Sequence, residues 1–209
     1  MNDNSSGLTM KIVVVFPTST EAQFFSHPNV ISEICGVGLS TAAYRTSKII
    51  AHHKPDWIIM AGIAGVYEHS TFAVDDVVLV TSECECDLGF FTPTGFTHLA
   101  DLELDMEFSV TKEWQCPYLP ISPMLPVAKS NSMNAAMAPF IDAVGIDIEN
   151  MEGAAFFQVC LAEQQKFLQL RSISNVVKIG NDDWDMEGSI RSLTQGLHKV
   201  IDFLLATDK

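Results

Sequence analysis

Positive charge is scarce in this sequence. Its 209 residues include 12 lysines and arginines against 26 aspartates and glutamates, which gives a formal net charge of -14 at pH 7. Nucleic-acid binding depends on cations that pair with backbone phosphates. Attraction to an anionic membrane surface also depends on clustered basic residues. The composition therefore predicts a protein that binds neither nucleic acid nor membranes.

Several other features are missing. No apolar stretch reaches transmembrane length, and residues 1–9 lack the apolar segment of a signal peptide. The five cysteines are scattered, and Cys84 and Cys86 lack the two-residue spacer of zinc or thioredoxin-like sites. No P-loop, dinucleotide fingerprint or metal-ligand spacing of histidines is present. We therefore predict a cytoplasmic protein with reduced thiols, no metal and no cofactor, whose residues 1–9 form a disordered extension.

Hydrophobic runs alternate with amphipathic segments over residues 10–209. Short runs rich in Val and Ile predict strands at residues 11–16, 34–38, 57–61, 77–81, 127–128 and 167–173. Helical spacing predicts helices at residues 40–53, 151–166 and 190–204. This alternation predicts one catalytic domain with a three-layer α/β/α sandwich around a central mixed sheet. Ligands of such folds bind at the carboxyl ends of strands.

The segment from residue 83 to residue 113 has no clear period. It is acidic and contains several Phe and Gly residues. Segments of this length without a period are usually functional loops. We therefore predict a long loop or lid, which could also offer a surface to a partner subunit.

Five motifs lie at predicted strand ends or starts in a fixed order. They are residues 11–21, which end at Glu21, the Gly36-Val37-Gly38 turn, residues 54–65, which end in Gly62-Ile63-Ala64-Gly65, residues 74–78, and Met151-Glu152 together with residues 171–175. In this order they resemble the purine nucleosidase and nucleoside phosphorylase superfamily over residues 11–205. The resemblance implies the nucleoside phosphorylase/hydrolase-like fold, a purine nucleoside and water as substrates, and a homodimer or higher homo-oligomer.

Within the superfamily the sequence is most similar to futalosine hydrolases. These enzymes release hypoxanthine, in a menaquinone pathway, from a nucleoside that carries a benzoate group at its 5' end. Residues 62–65, 151–156 and 171–175 carry this likeness, as does the run Asn181-Asp182-Asp183-Trp184. That run departs from the Arg-Asp expected before the tryptophan.

The resemblance implies a role for each polar residue of these motifs. Glu21 would activate the attacking water, although Thr18-Ser19-Thr20-Glu21 also has the pattern of a helix capping box. Met151 and Glu152 would hold the ribose, since a carboxylate can accept hydrogen bonds from two adjacent hydroxyls. Arg171 would position the water or the acid, or form a buried structural ion pair instead.

The other candidates surround the base and the 5' group. Ile63, Ala64 and Gly65 would form the turn on the ribose side. Asn131 would read the base edge or cap the next element. Trp184 would form a wall of the 5' pocket or close the last helix.

Ser174 and Asn175 would hold the leaving base. Adenine presents N7 as an acceptor and its 6-amino group as a donor, whereas a 6-oxopurine presents two acceptors, N7 and O6. A protonated aspartate, typical of adenine nucleosidases at this position, suits adenine. The Asn175 amide can donate to N7 and O6, so it favours hypoxanthine or guanine, unless it is only a turn asparagine. Ile63 stands where the adenine enzymes carry serine, and the loss of that hydroxyl also argues against an adenine substrate.

Hydrolysis is favoured over phosphorolysis. The loop after the first strand carries Glu21 and no cation, and a carboxylate facing a phosphate is costly. Arg45, on the predicted helix after Gly36-Val37-Gly38, is the one cation that could bind phosphate. The sequence therefore predicts hydrolysis of futalosine to hypoxanthine and dehypoxanthine futalosine. The alternatives are a methylthioadenosine/adenosylhomocysteine-type nucleosidase, a 6-oxopurine phosphorylase, and a nucleoside-binding protein without activity.

Overall fold

An eight-stranded mixed sheet forms the centre of the molecule. The computed structural model describes residues 10–102, 110–121, 123–180 and 183–207, so the predicted extension at residues 1–9 lies outside the described residues. The strands of this sheet are β1 (Ile12–Phe16), β2 (Val30–Ile34), β3 (Trp57–Val66), β4 (Val77–Glu85), β7 (Glu113–Gln115), β8 (Val127–Ser132), β9 (Ile148–Asn150) and β10 (Phe167–Val176). A separate hairpin consists of β5 (Gly89–Thr92) and β6 (Gly95–His98).

Helices cover the sheet. They are α1 (Ser19–Ala22), α2 (Leu39–His53), α3 (Gly153–Ala162) and α4 (Met186–Thr207), and a 3-10 turn spans Leu99–Asp101. Apolar side chains of α2, α3 and α4 pack into one core with those of β1, β3, β4 and β10. Among the described residues, no helix combines the length and apolar character needed to cross a bilayer. The predicted α/β class with a mixed central sheet is confirmed.

Strand β3 lies inside the sheet and pairs with three other strands. It pairs in parallel with β1 on one side and β10 on the other, and its last two residues, Gly65 and Val66, pair with β9 beyond the end of β1. The pairings of β10 with β4, β4 with β8 and β8 with β9 then close a ring of five strands back to β3. The residues after Phe16, the end of β3 and the end of β10 therefore meet at one edge.

Several predicted boundaries are wrong. The run from residue 62 to 65 is not a turn, because β3 continues through it to Val66. The second strand is Val30–Ile34 rather than 34–38, since positive φ angles of 83° at Gly36 and 88° at Gly38 end the extended chain. Strand β8 runs beyond residue 128 to Ser132, and α3 begins at Gly153 and ends at Ala162.

The prediction of a long loop or lid over residues 83–113 is also wrong in its described part, because strands occupy much of it. Glu83 lies inside β4, and β5, β6 and the 3-10 turn follow it. Residues 103–109 lie outside the described residues. The five cysteines are free, and all but Cys84 are buried.

Candidate active site

A single cavity of about 200 Å³ brings together nine of the eleven predicted site residues. It opens where β1, β3 and β10 end and α3 begins. These nine residues are Glu21, Ile63, Ala64, Gly65, Met151, Glu152, Ser174, Asn175 and Trp184. Of the two others, Arg171 lies behind the cavity wall, and Asn131 lines a different depression beside Cys84 and Phe96.

Glu21 stands in the cavity wall on the short helix α1. The Thr18 hydroxyl accepts a hydrogen bond from the Glu21 N–H at 3.2 Å, so the predicted N-cap is present. The carboxylate nevertheless belongs to the cavity: Oε2 accepts from the Thr18 hydroxyl at 2.6 Å and Oε1 from the Ile63 N–H at 3.0 Å. Glu21 can therefore belong to the helix cap and to the cavity at once. The cap uses its backbone N–H, and its carboxylate lines the cavity.

The pKa of the Glu21 carboxyl is raised above its ordinary value. Burial is the largest cause, and the charge of Glu152 adds to it. Hydrogen bonds from Thr18 and Ile63 and the positive charge of Arg171 oppose the shift only in part. A carboxylate with a pKa moved towards neutrality is a better general base for water.

Glu152 and Arg171 form a buried ion pair. Arg171 Nη1 donates to Glu152 Oε2 at 3.1 Å and to the Ile63 carbonyl at 3.2 Å. The Arg171 side chain is fully buried and does not line the cavity, so it orients Glu152 rather than contacting a ligand there. Of the two alternatives left open by the sequence, the buried ion pair is present, and the positioning of water or acid by Arg171 stays a prediction.

A buried polar network that the sequence analysis missed supports this ion pair. Asn150 Oδ1 accepts from Arg171 Nη2 at 2.8 Å and from the N–H groups of Glu152 and Gly153 at 2.9 and 2.7 Å. Asn150 Nδ2 donates to Glu83 Oε1 at 2.8 Å. Asn150 thus links a second buried carboxylate to the start of α3.

Glu83 is the far end of this network. Its side chain accepts hydrogen bonds from Ser132, Asn150 and Gln169 at 2.7, 2.8 and 2.6 Å. Burial raises the pKa of the Glu83 carboxyl, and these donors counter that effect. No local pattern marks Glu83, which follows the polar pair Thr81-Ser82 in β4, and its partners are 49 to 86 residues away along the chain.

Gly153 leaves the space that Glu83 occupies. A Cβ at this position would lie 1.9 Å from Glu83 Oε1 and 2.6 Å from Gln169 Nε2, both buried. We expect Gly153→Ala to destabilise the protein by about 1–3 kcal/mol, the usual cost of overpacking a filled core. Urea unfolding measures this. Gly188→Ala is the matched control, because its three nearest atoms all belong to the exposed Asp185 side chain; equal losses in both variants would contradict the assignment.

A β-bulge orients the two base-side candidates. The register between β10 and β3 shifts between Ile173 and Asn175, so that Asn175 rather than Ser174 pairs with Gly65. Such a shift lets adjacent side chains face one side of a strand. Ser174 and Asn175 consequently both line the cavity, and the Ser174 hydroxyl donates to Asn175 Oδ1 at 2.9 Å.

Part of the cavity lining is apolar. It includes Val37, Met137, Trp184 and Met186. Trp184 is 43% exposed and stands at the rim, two residues before α4 begins. Both predicted roles of Trp184 stay predictions. Asn181 and Asp182 of the motif before it lie outside the described residues.

Negative charge dominates the wall. Glu21, Glu149 and Glu152 all line the cavity, and among the described residues that line it there is no lysine or arginine. Arg45 lies exposed on α2 and is not part of the lining. A phosphate ion would face three carboxylates with Arg171 as the nearest buried cation, which is electrostatically costly.

No family model matches the chain. A futalosine hydrolase from Thermus thermophilus is 25% identical over 186 residues, which cover 79% of this chain and 78% of that protein. A futalosine hydrolase structure from Helicobacter pylori aligns with a TM-score of 0.75 and 16% identity over 94% of this chain and 99% of that chain.

An adenosine-type relative is equally close in fold. The 5'-methylthioadenosine/S-adenosylhomocysteine nucleosidase of Helicobacter pylori aligns with a TM-score of 0.75 and 15% identity over 93% of this chain and 99% of that chain. The fold, the ordered motifs and the sequence relative agree. The chain therefore has the α/β fold of the methylthioadenosine/adenosylhomocysteine nucleosidases and the futalosine hydrolases, and its sequence is similar to that of a futalosine hydrolase.

Proposed function

We propose that this protein hydrolyses the N-glycosidic bond of a 5'-modified 6-oxopurine nucleoside, with futalosine as its substrate in menaquinone biosynthesis. One observation carries the proposal: a carboxylate with a raised pKa, a second carboxylate and a carboxamide line one cavity, and no cation lines it among the described residues. These groups are suited to the three tasks of the reaction, which are activating water, holding the ribose and stabilising the leaving base.

Glu21 is proposed as the base for water. Its oxygens are held by Thr18 and Ile63 but keep free lone pairs, because each accepts one hydrogen bond in the described structure. The negative charge also stabilises the oxocarbenium-like sugar that develops as the bond breaks.

Glu152 is proposed to bind the ribose hydroxyls. Arg171 occupies one side of Oε2, and the Gly38 N–H approaches Oε1 at 3.5 Å, so acceptor capacity remains on both oxygens. Met151 beside it supplies an apolar contact for the sugar.

Asn175 is proposed to hold the base. Its Nδ2 donates to the Val176 carbonyl at 3.3 Å, and a carbonyl can only accept, so this bond fixes the amide orientation. The second Nδ2 hydrogen is then available for N7 and O6 of a 6-oxopurine. Donation to these atoms stabilises the negative charge that the departing base acquires.

Asn175→Asp tests this base assignment. An ionised aspartate would repel N7 and O6, so we expect kcat/KM for inosine to fall about 10- to 100-fold, in line with 1–3 kcal/mol per lost base contact. The value for adenosine should fall less. Asn29→Asp, at an exposed site, makes the same chemical change and should leave both values unchanged. An equal loss for the two nucleosides would count against base recognition by Asn175.

One observation favours a second substrate. Futalosine carries a benzoate anion, but the described lining of the cavity offers no lysine or arginine to pair with it. The apolar side chains in the lining, among them Val37, Met137 and Met186, suit the uncharged thioether of methylthioadenosine. A methylthioadenosine/adenosylhomocysteine-type activity is therefore the second candidate.

Base release from futalosine, inosine and methylthioadenosine, each with and without phosphate, separates the possibilities. Hypoxanthine from futalosine without phosphate is the expected result. Adenine from methylthioadenosine as the main product would establish the second candidate. Turnover that requires phosphate would instead indicate a phosphorylase, and tight binding without release would indicate a nucleoside-binding protein.

A further inference from the structure

Glu149 is a buried carboxylate in the cavity wall that the steps above do not use. It is 6% exposed, and both of its oxygens already have a donor. Oε1 accepts from the Met137 N–H at 2.9 Å, and Oε2 accepts from the Tyr67 hydroxyl at 3.0 Å. Each oxygen of an ionised carboxylate can accept a further hydrogen bond. Glu149 is therefore an anchored acceptor that faces the ligand space with spare capacity.

Strand pairing places Glu149 in line with the base-side amide. Gly65 of β3 pairs with Asn175 of β10 on one side and with Glu149 of β9 on the other. Residues directly opposite one another in paired strands point to the same face of the sheet. Asn175 and Glu149 thus stand on the same face, two strand spacings or about 10 Å apart.

Gly65 stands between them and lines the same cavity as Asn175 and Glu149. A Cβ there would lie 3.3 Å from Asn175 Nδ2 and 2.8 Å from a Val177 methyl group, so this position tolerates no side chain. A base that lies over Gly65 would therefore have Asn175 on one side and Glu149 on the other.

Hydrogen bonds from Tyr67 and Met137 hold Glu149 in place. Asn131 Nδ2 donates to the Tyr67 hydroxyl at 3.3 Å, so that Asn131 orients the phenol that orients Glu149. Met137 adopts a positive φ of 58°, which is unusual for a bulky side chain, and directs its N–H at the carboxylate. Asn131, predicted to read the base edge or to cap the next element, here donates to Tyr67.

The two groups have opposite polarity. Asn175 presents a donor, whereas ionised Glu149 only accepts. A 6-oxopurine has acceptors at N7 and O6 and a donor, N1–H, on the adjoining edge, but adenine carries a lone pair at N1. We propose that Glu149 is a second specificity-determining residue, which accepts the N1–H of a 6-oxopurine. This inference rests on the proposed function. It adds recognition of a second edge of the purine, at N1, to recognition of the N7 and O6 edge by Asn175.

Binding of the free base tests the assignment independently of catalysis. Calorimetry with hypoxanthine and 1-methylhypoxanthine compares ligands with and without the N1–H. We expect the wild-type protein to bind hypoxanthine at least about tenfold more tightly, because methylation at N1 removes the hydrogen bond to Glu149 and puts a methyl group against its carboxylate. Equal affinity of the wild-type protein for the two bases would overturn the proposal whatever any variant does.

Glu149→Gln should reduce this preference. The glutamine has one acceptor, which the Met137 N–H retains, so the base would meet an N–H group instead. We expect the hypoxanthine preference to fall about tenfold or more, towards parity. Glu68→Gln, the same change at an exposed site beside Tyr67, should preserve it. A folded Glu149→Gln variant with the wild-type preference would overturn the assignment.

The same assay separates the inference from the proposed function. If the protein binds hypoxanthine with the expected preference but cleaves none of the nucleosides, hydrolysis is refuted and the role of Glu149 stands. If it cleaves futalosine and ignores methylation at N1, hydrolysis stands and the role of Glu149 falls.

Discussion

Glu21→Gln is expected to lower kcat about 10²- to 10⁴-fold, the usual contribution of a general base. Glutamine keeps the size of the side chain and can accept the Ile63 N–H, so α1 and the cavity should persist. It has no basic lone pair for the proton of water and no charge to stabilise the sugar cation. Steady-state hypoxanthine release measures the effect. KM should change little, because the proposed loss falls on the transition state.

The pH dependence of the wild-type reaction should show the same group. Glu21 acts as a base only when ionised, and burial raises the pKa of its carboxyl above 4.5. The rate should therefore rise with pH on an acidic limb that lies above 4.5, and Glu21→Gln should remove this limb. Glu163→Gln, at an exposed site after α3, should keep both the rate and the limb. A Glu21→Gln variant with wild-type kcat would leave Glu21 as a capping residue only.

The sequence predicted the core strands well for a physical reason. Strand β1 consists of four β-branched residues and Phe16, an unbroken apolar run that fits the burial of all five residues. The end of β3 was misjudged because glycines there indicate a turn, yet they serve close approach. A Cβ on Gly62 would lie 2.5 Å from Arg171 Nη1 and 3.0 Å from Glu21 Oε1. Gly62 is needed because residues far away along the chain occupy the space of a side chain. The sequence around Gly62 carries no pattern that shows this need.

The residues of the candidate site also divide into those with a local sequence pattern and those without one. Glu21, Glu152 and Asn175 were found because each belongs to a short motif at a strand end. Glu83 and Asn150 were missed because their roles exist only when β4, β9 and β10 are brought together by the five-stranded ring. Glu149, next to a recognised motif, was overlooked because its meaning depends on the register with Gly65 rather than on neighbours in sequence.

Arg171→Met is expected to be the most damaging change to stability. Arg171 is fully buried and donates to Glu152, Asn150 and the Ile63 carbonyl. Methionine has a similar length but leaves Glu152 without its cation. Removing one partner of a buried ion pair costs about 3–5 kcal/mol. Urea unfolding monitored by tryptophan fluorescence measures the loss, and Arg45→Met, at an exposed site on α2, should be close to neutral.

The double variant Arg171→Met with Glu152→Gln identifies the cause of that loss. If the unpaired carboxylate is responsible, neutralising it should recover part of the stability, so that the double variant is more stable than Arg171→Met alone. Losses that simply add would mean that Arg171 stabilises the fold through packing and its bonds to Asn150 and Ile63. Arg171→Lys should fall between wild type and methionine, because one ammonium keeps the charge but cannot reach all the acceptors of the planar guanidinium at once.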